Sequence, residues 1–210
     1  MTIFDHYKEA TNKDKVFVIE LGAHNGYHTK KLIDLIKDKD YLYHLFEPNP
    51  QFINELLLIQ YTDEGRIKFF NEAIGERTEE ASFYISTGRY NGEIYNGSSS
   101  IKEPKLIYDT WQGMSFEQSI CNVISLDDHI KRTGVKSEID FIWADIQGAQ
   151  SELLKGGKQS FKKVRYLYIE YSDIEFYSGE LGIRGICELL PEFYVVEIYG
   201  GDVLLKNRNI

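Results

Sequence analysis

The stretch VFVIELGAHNGYHT, Val16 to Thr29, decides how this chain is read. Its first six residues, Val16 to Leu21, form a β-branched run of strand length. Gly22 ends the run, and beyond Gly26 the apolar Leu32, Leu35 and Ile36 recur at helical spacing. Gly22 lets the backbone turn with positive φ and come close to a ligand. Gly26 keeps the helix start clear, so free N–H groups can face a polar ligand. The spacing is GxxxG, which is neither the GxGxxG of a dinucleotide fingerprint nor a phosphate-cradling GxxxxGK[ST] loop. Glu20, two residues before the first glycine, suits a ligand with an ammonium group and is ill placed beside pyrophosphate. The alternative for this segment is an ordinary strand-to-helix turn.

Working outward, Tyr43 to Phe46 reads as a second strand, followed by Pro48 and Pro50. A helix with a mostly apolar face (Phe52, Ile53, Leu56, Leu57) comes next, then a third strand, Ile67 to Phe70. This β-α-β-α-β order predicts an α/β fold with a parallel sheet and covering helices. Ala81 to Ser86 reads as a short strand, and residues 87–118 as an irregular loop insertion, with regular structure resuming at Val123. Helical turns are expected at Leu126 to Lys131 and at Ala149 to Leu154, the latter stopped by Gly156-Gly157. Ile139 to Ala144 is the most buried-looking strand and ends at Asp145; Val164 to Tyr171 is another. A helical pattern at Leu181 to Leu190 precedes Pro191, and Phe193 to Ile198 with Asp202 to Leu205 forms a terminal hairpin about Gly200-Gly201.

Composition bounds the function. The 210 residues suit one domain, read as 1–210, and 42% hydrophobic with 14% aromatic residues argues for a packed core. With 24 basic against 33 acidic residues the net charge is -9, which disfavours a nucleic-acid partner. Cys121 and Cys187 lie far apart with no metal-ligand spacing and read as ordinary buried thiols. The N-terminus is charged and lacks the apolar core of a secretory signal, and no stretch nears the roughly 20 apolar residues of a membrane span. A soluble, cytoplasmic protein is the expectation.

Three successive strand ends carry the candidate chemistry. The first holds Glu20, Gly22, Ala23, Asn25 and Gly26. At the second, Glu47 before Pro48 can accept hydrogen bonds from both hydroxyls of a ribose; the alternative is a surface acid before a Pro-rich turn. At the third, Asn71 or Glu72 can bond an adenine amino group while Ala73 leaves room, the alternative being a plain turn. Methionine moiety, ribose and adenine at consecutive strand ends is the layout of S-adenosylmethionine (SAM) sites in Rossmann-like methyltransferases.

The chain resembles the FkbM-type SAM-dependent methyltransferases. The matching segments, in the family's order, are VFVIELGAHNGYHT, HLFEPNP, FFNEAIGE, NGSSS, VISLDDHI, IDFIWADIQGAQSELLKGG and YLYIEYS, spanning residues 16 to 172. The resemblance implies a class I methyltransferase fold, a seven-stranded mostly parallel sheet whose C-terminal hairpin supplies an antiparallel strand. It also implies O-methyl transfer, often to a sugar in glycan, polysaccharide or natural-product synthesis. The chain departs from the family at Gln150 and Gln147, where acids are common.

A sugar hydroxyl must lose its proton as it is methylated, so a base is sought near the reacting centre. Asp145, at the end of the central strand, is the first candidate, and Glu170 in the next strand the second. The alternatives are a helix N-cap for Asp145 and a structural acid for Glu170. Two carboxylates are few ligands for Mg²⁺, which is therefore less favoured. Tyr90, Tyr95, Trp111 and Gln147 are candidates for acceptor contact and Tyr108 lies in the same aromatic-rich loop, the alternative for these aromatics being to anchor that loop; Ser99 belongs to a serine run, Ser98 to Ser100, placed near the methionine carboxylate or the substrate. His24 and His28 read as structural or peripheral, and His129 as part of a solvated helix face. Two rival readings stay open: a methyltransferase for an amine, lipid or other small molecule, and a SAM-binding module without catalysis. Oligomeric state is not legible.

Overall fold

Strand β1 (Lys15–Leu21) alternates between two cores. Phe17, Ile19 and Leu21 point to one face, where they pack with Leu153, Leu154 and Phe161; Val16 and Val18 point to the other, with Tyr7, Leu32 and Leu56. A strand buried on both faces needs helices on both sides, as a parallel sheet provides. The structure, a computed structural model, describes residues 1–63, 65–90, 93–94, 96–105 and 113–210, with only the backbone described at 90, 93 and 94.

The main sheet has seven strands. β1 pairs in parallel with β2 (Asp40–Phe46) on one side and with β9 (Ile139–Ala144) on the other. β3 (Ile67–Phe70) extends the first side and β10 (Val164–Glu170) the second, both parallel. β12 (Asp202–Asn207) joins β10 antiparallel, and β11 (Phe193–Tyr199) closes the edge through the terminal hairpin. The order is β11-β12-β10-β9-β1-β2-β3, the expected mostly parallel sheet with an antiparallel C-terminal strand.

This order places a topological switch point at β1. The chain leaves β1 toward β2 and later returns to its other side at β9. Leu21 is level with Phe46 in β2 and with Ala144 in β9, so the loops beyond these ends open one crevice. Helix α2 (Tyr27–Asp34) and helix α3 (Ile53–Tyr61) cover the β1–β2–β3 half. Helix α4 (Leu126–Thr133) is capped by the Ser125 side chain and stopped by left-handed Gly134, with Asp127 and Asp128 in its first turn and Lys131 and Arg132 in its last. Helix α5 (Gln150–Gly156) follows the β9 loop, and helix α6 (Ile183–Leu189) precedes β11.

Four features differ from the expectation. Residues Ile3–Ala10 form a helix, α1, opened by a capping box between Thr2 and Asp5, with Tyr7 edge-on to Phe141 at 5.1 Å. A second sheet, β4-β8-β5, joins β4 (Ala73–Gly75), β5 (Glu79–Ser86) and β8 (Phe116–Ser125). Regular structure therefore resumes at Phe116, not Val123; only the last three residues of β8 are buried, so the strand carries no hydrophobic alternation. Within the expected loop, β6 (Arg89–Tyr90) and β7 (Glu93–Ile94) pair antiparallel. Cys121 and Cys187 are free and half-buried, not buried. Among the described residues no helix is long and apolar enough to cross a membrane.

The second sheet docks on α5 through Gly156, where an added Cβ would overlap the Gly75 carbonyl oxygen. Gly156→Ala is expected to cost about 1–3 kcal/mol by overpacking. Urea unfolding measures this, and a change below about 0.5 kcal/mol, the range of neutral surface changes, would contradict the close docking.

Candidate active site

The crevice at the switch point is a cleft of about 360 Å³, in the range of small-molecule sites. Its floor is the loop after β1. Gly22 has φ +83°, and a Cβ there would overlap the Asp145 carbonyl oxygen, so the loops of β1 and β9 touch. Gly22 and Ala23 both donate their N–H to the Phe46 carbonyl at the end of β2, at 3.0 and 2.9 Å. Gly26 has φ +76°, and a Cβ there would strike Ile59 of α3. Asn25 accepts the Tyr27 N–H, shaping the start of α2.

Glu47 stands at the end of β2, buried on the cleft wall. Its Oε2 accepts the His24 N–H at 2.7 Å and its Oε1 the Asn49 N–H at 2.8 Å. Burial pushes its carboxyl up to about 7, against the opposing pull of these two backbone N–H groups. Each oxygen keeps a further lone pair for a ligand hydroxyl.

Across the switch point, Asp145 Oδ1 accepts from Gln147 Nε2 at 2.6 Å, and the same nitrogen reaches Glu170 Oε2 at 3.1 Å. Asp145 and Gln147 line the cleft; Glu170 stands behind them, outside the lining. Burial raises Asp145 above the usual carboxylate range, opposed by the Gln147 hydrogen bond. Glu170 is raised well above its ordinary value, by burial first and then by the negative charges of Asp145, Asp202 and Glu180. An amide N–H group thus occupies the space between the two carboxyls, a donor set that suits a proton better than Mg²⁺.

The serine run ties the far wall to this corner. Ser100 Oγ donates to the Gln147 carbonyl at 2.5 Å, and Ser99 Oγ accepts the Ser86 N–H at 3.1 Å on the cleft lining. Phe46, Phe52, Phe83, Ala73 and Ile74 supply an apolar wall beside Pro48 and Glu72.

Several sequence expectations are relocated. Glu20 follows Val16 and Val18 onto the helix-covered face, is buried, and accepts the Tyr43 hydroxyl at 2.6 Å; it does not line the cleft. Asn71 spends its amide on the Glu47 and Pro48 carbonyls at 2.8 and 3.2 Å, bracing β2. Glu72 lines the cleft but is held by Arg132 through two bonds of 2.9 and 2.6 Å. Tyr95, Tyr108 and Trp111 lie outside the described residues, as does the Tyr90 side chain.

The histidines also moved. His24 and His28 both line the cleft. His24 has φ +52°, its Nε2 lies 2.9 Å from Asn96 Oδ1, and its ring packs on Phe52 at 4.1 Å. His129 is fully buried, not on a solvated face; it meets His44 at 2.8 Å between Phe46 and Phe70. Burial holds its ring near 4, so it stays neutral at pH 7. Asn49, Asn96 and Tyr177 complete the site and carried no periodic signal in the sequence.

A family profile described as the methyltransferase FkbM domain matches residues 20–198. The chain belongs to the FkbM methyltransferase family. It is 33% identical over 198 residues to the 2-O-methyltransferase NoeI of Sinorhizobium fredii (strain NBRC 101917 / NGR234), covering 92% of this chain and 80% of that protein. It superposes on the crystal structure of a methyltransferase FkbM from Methylobacillus flagellatus KT with a TM-score of 0.58 at 19% identity. That match covers 92% of this chain and 44% of the crystal chain, so the present chain spans less than half of that FkbM protein's length. This likeness shows the fold: the seven-stranded sheet is that of the class I methyltransferases.

Glu20 gives a pH prediction for the fold. Burial raises its carboxyl to about 7. The folded state then favours the proton, so this contribution to stability is full below about pH 4.5 and is lost as pH rises toward 7. Glu20→Gln keeps an acceptor for Tyr43 and removes the titration. Urea unfolding between pH 5 and 8 should show a decline shallower than wild type by on the order of 3 kcal/mol. Parallel declines would mean that Glu20 titrates normally.

Proposed function

We propose that this protein is a SAM-dependent O-methyltransferase whose acceptor is a sugar hydroxyl in glycan, polysaccharide or natural-product synthesis. The observation that carries the proposal is the convergence of the Gly22 loop, Glu47 and Asp145 on one cleft at the switch point. The 2-O-methyltransferase NoeI, similar over most of both chains, supports O-methylation. The cleft fits the cofactor: Glu47 for the ribose hydroxyls, the Phe46, Ala73 and Ile74 wall for adenine, and the backbone of Gly22 to Gly26 with Ser99 for the methionine end.

When bound, SAM supplies a methyl group on a positively charged sulfur, a good electrophile with a neutral leaving group. The protein aligns the acceptor oxygen in line with that carbon, and alignment alone provides much of the acceleration. Asp145 would take the proton of the acceptor hydroxyl as that oxygen is methylated. Burial of Asp145 raises its basicity toward that task. Acids on the wall (Glu47, Asp145) and a net charge of -9 fit a neutral acceptor better than a polyanion.

Calorimetry should show SAM binding, weakened about tenfold to a hundredfold in Glu47→Ala through the loss of hydrogen bonds to a charged group. No binding at millimolar SAM would end the proposal. Mass spectrometry of products from a panel of neutral oligosaccharides, amines and phenols should find the methyl on a sugar oxygen, and turnover should vanish in Asp145→Asn with SAM affinity kept. A methylated amine as the sole product would move the acceptor class, and turnover by the variant would remove Asp145 as base.

A further inference from the structure

We propose that Gln147 is a positioning residue of the reaction: its amide clips Asp145 Oδ1 to Glu170 Oε2 and so leaves Asp145 Oδ2 for the acceptor hydroxyl. This rests on the reading of Asp145 as the group that takes the acceptor proton. The geometry comes first. Gln147 adopts φ +47°, a conformation uncommon outside glycine, on the turn between β9 and α5. Gly148, at φ +86°, has no room for a Cβ because Tyr177 packs against it. Ser100 Oγ fixes the Gln147 carbonyl at 2.5 Å. The Tyr177 hydroxyl, which donates to the Ser98 carbonyl at 2.7 Å, also lies 3.4 Å from Gln147 Oε1. With Oε1 on that side, both hydrogens of Nε2 turn to the carboxyls, one to each. Among the described residues, the hydrogen bond from Gln147 is the one made to the Asp145 side chain.

The consequence is a division of labour between two acids that would otherwise compete for one proton. Asp145 faces the His24 ring, which favours its ionised form. Glu170 faces Asp145, Asp202 at the start of β12 and Glu180, all negative. Asp202 in turn faces Tyr168 and His28. In these surroundings Glu170 holds its proton to higher pH than Asp145. The amide hydrogen on Asp145 supports that split, because a donor to a carboxylate favours its charged form; at 2.6 Å it is the shorter of the two, and the 3.1 Å bond to Glu170 opposes the split more weakly. A glutamate at 147 would bring a third carboxyl and demand a second proton.

Carboxyl ¹³C NMR titration tests this directly, with the Asp145 and Glu170 signals assigned from Asp145→Asn and Glu170→Gln. In wild type, Asp145 should titrate below Glu170. In Gln147→Met, which keeps the size and removes the donors, the Asp145 midpoint should rise by about one pH unit, a tenfold change in proton affinity. Gln147→Glu should raise it as well and move the acid limb of the kcat/KM profile upward by a similar amount. S-adenosylhomocysteine affinity should stay within about threefold in both variants, which shows that the cleft is intact. An unmoved Asp145 midpoint in folded variants overturns the proposal, as does a loss of rate equal at every pH. Turnover in Asp145→Asn would instead refute the base assignment, while the NMR midpoints still decide the clip.

Discussion

Everything at the site depends on one close approach, that of Gly22 to the Asp145 carbonyl. A side chain at position 22 has no space there. The contact joins the ends of β1 and β9, and the Asp145 N–H donates back to the Leu21 carbonyl at 2.9 Å. Two loops that leave the sheet in opposite directions are thereby held at their origin, and the crevice opens immediately above them. The Phe46 carbonyl, accepting from both Gly22 and Ala23, ties the third strand end to the same point. The cleft is thus fixed by backbone, and the side chains that line it inherit their positions from the sheet register.

A second constraint is electrostatic. Glu47, Asp145 and Glu170 are carboxyls drawn from water, and burial raises each of them. The chain answers with neutral donors and not with cations: two backbone N–H groups for Glu47, one amide for the Asp145–Glu170 pair. Glu72, by contrast, is met by Arg132 at the rim. Among the described residues no lysine or arginine lines the cleft, which keeps its acids basic, as proton removal from a weakly acidic hydroxyl would require.

Much of this was legible in the sequence, for physical reasons that differ by element. β1, β2 and β9 are buried on both faces, so their apolar runs stand out and their last residues point to the crevice. The terminal hairpin announced itself through Gly200-Gly201. Glu20 sits off the cleft because the period of the strand places it with Val16 and Val18, on the core face. β8 was missed over its first seven residues because most of them are exposed, and α1 because eight residues with a polar face give a weak pattern. The role of Gln147 was hidden for another reason: a left-handed glutamine and its tethers to Ser100 and Tyr177 join positions far apart in the chain.

The central claim is that the cleft at the switch point holds the reacting methyl in front of Asp145. A crystal structure of the protein with S-adenosylhomocysteine tests it most directly. The account predicts ribose hydroxyls on Glu47, adenine along Ala73 and Ile74, and the sulfur directed toward Asp145 with open space between them for an acceptor. A ligand bound elsewhere, or one whose adenine covers Asp145, would contradict it.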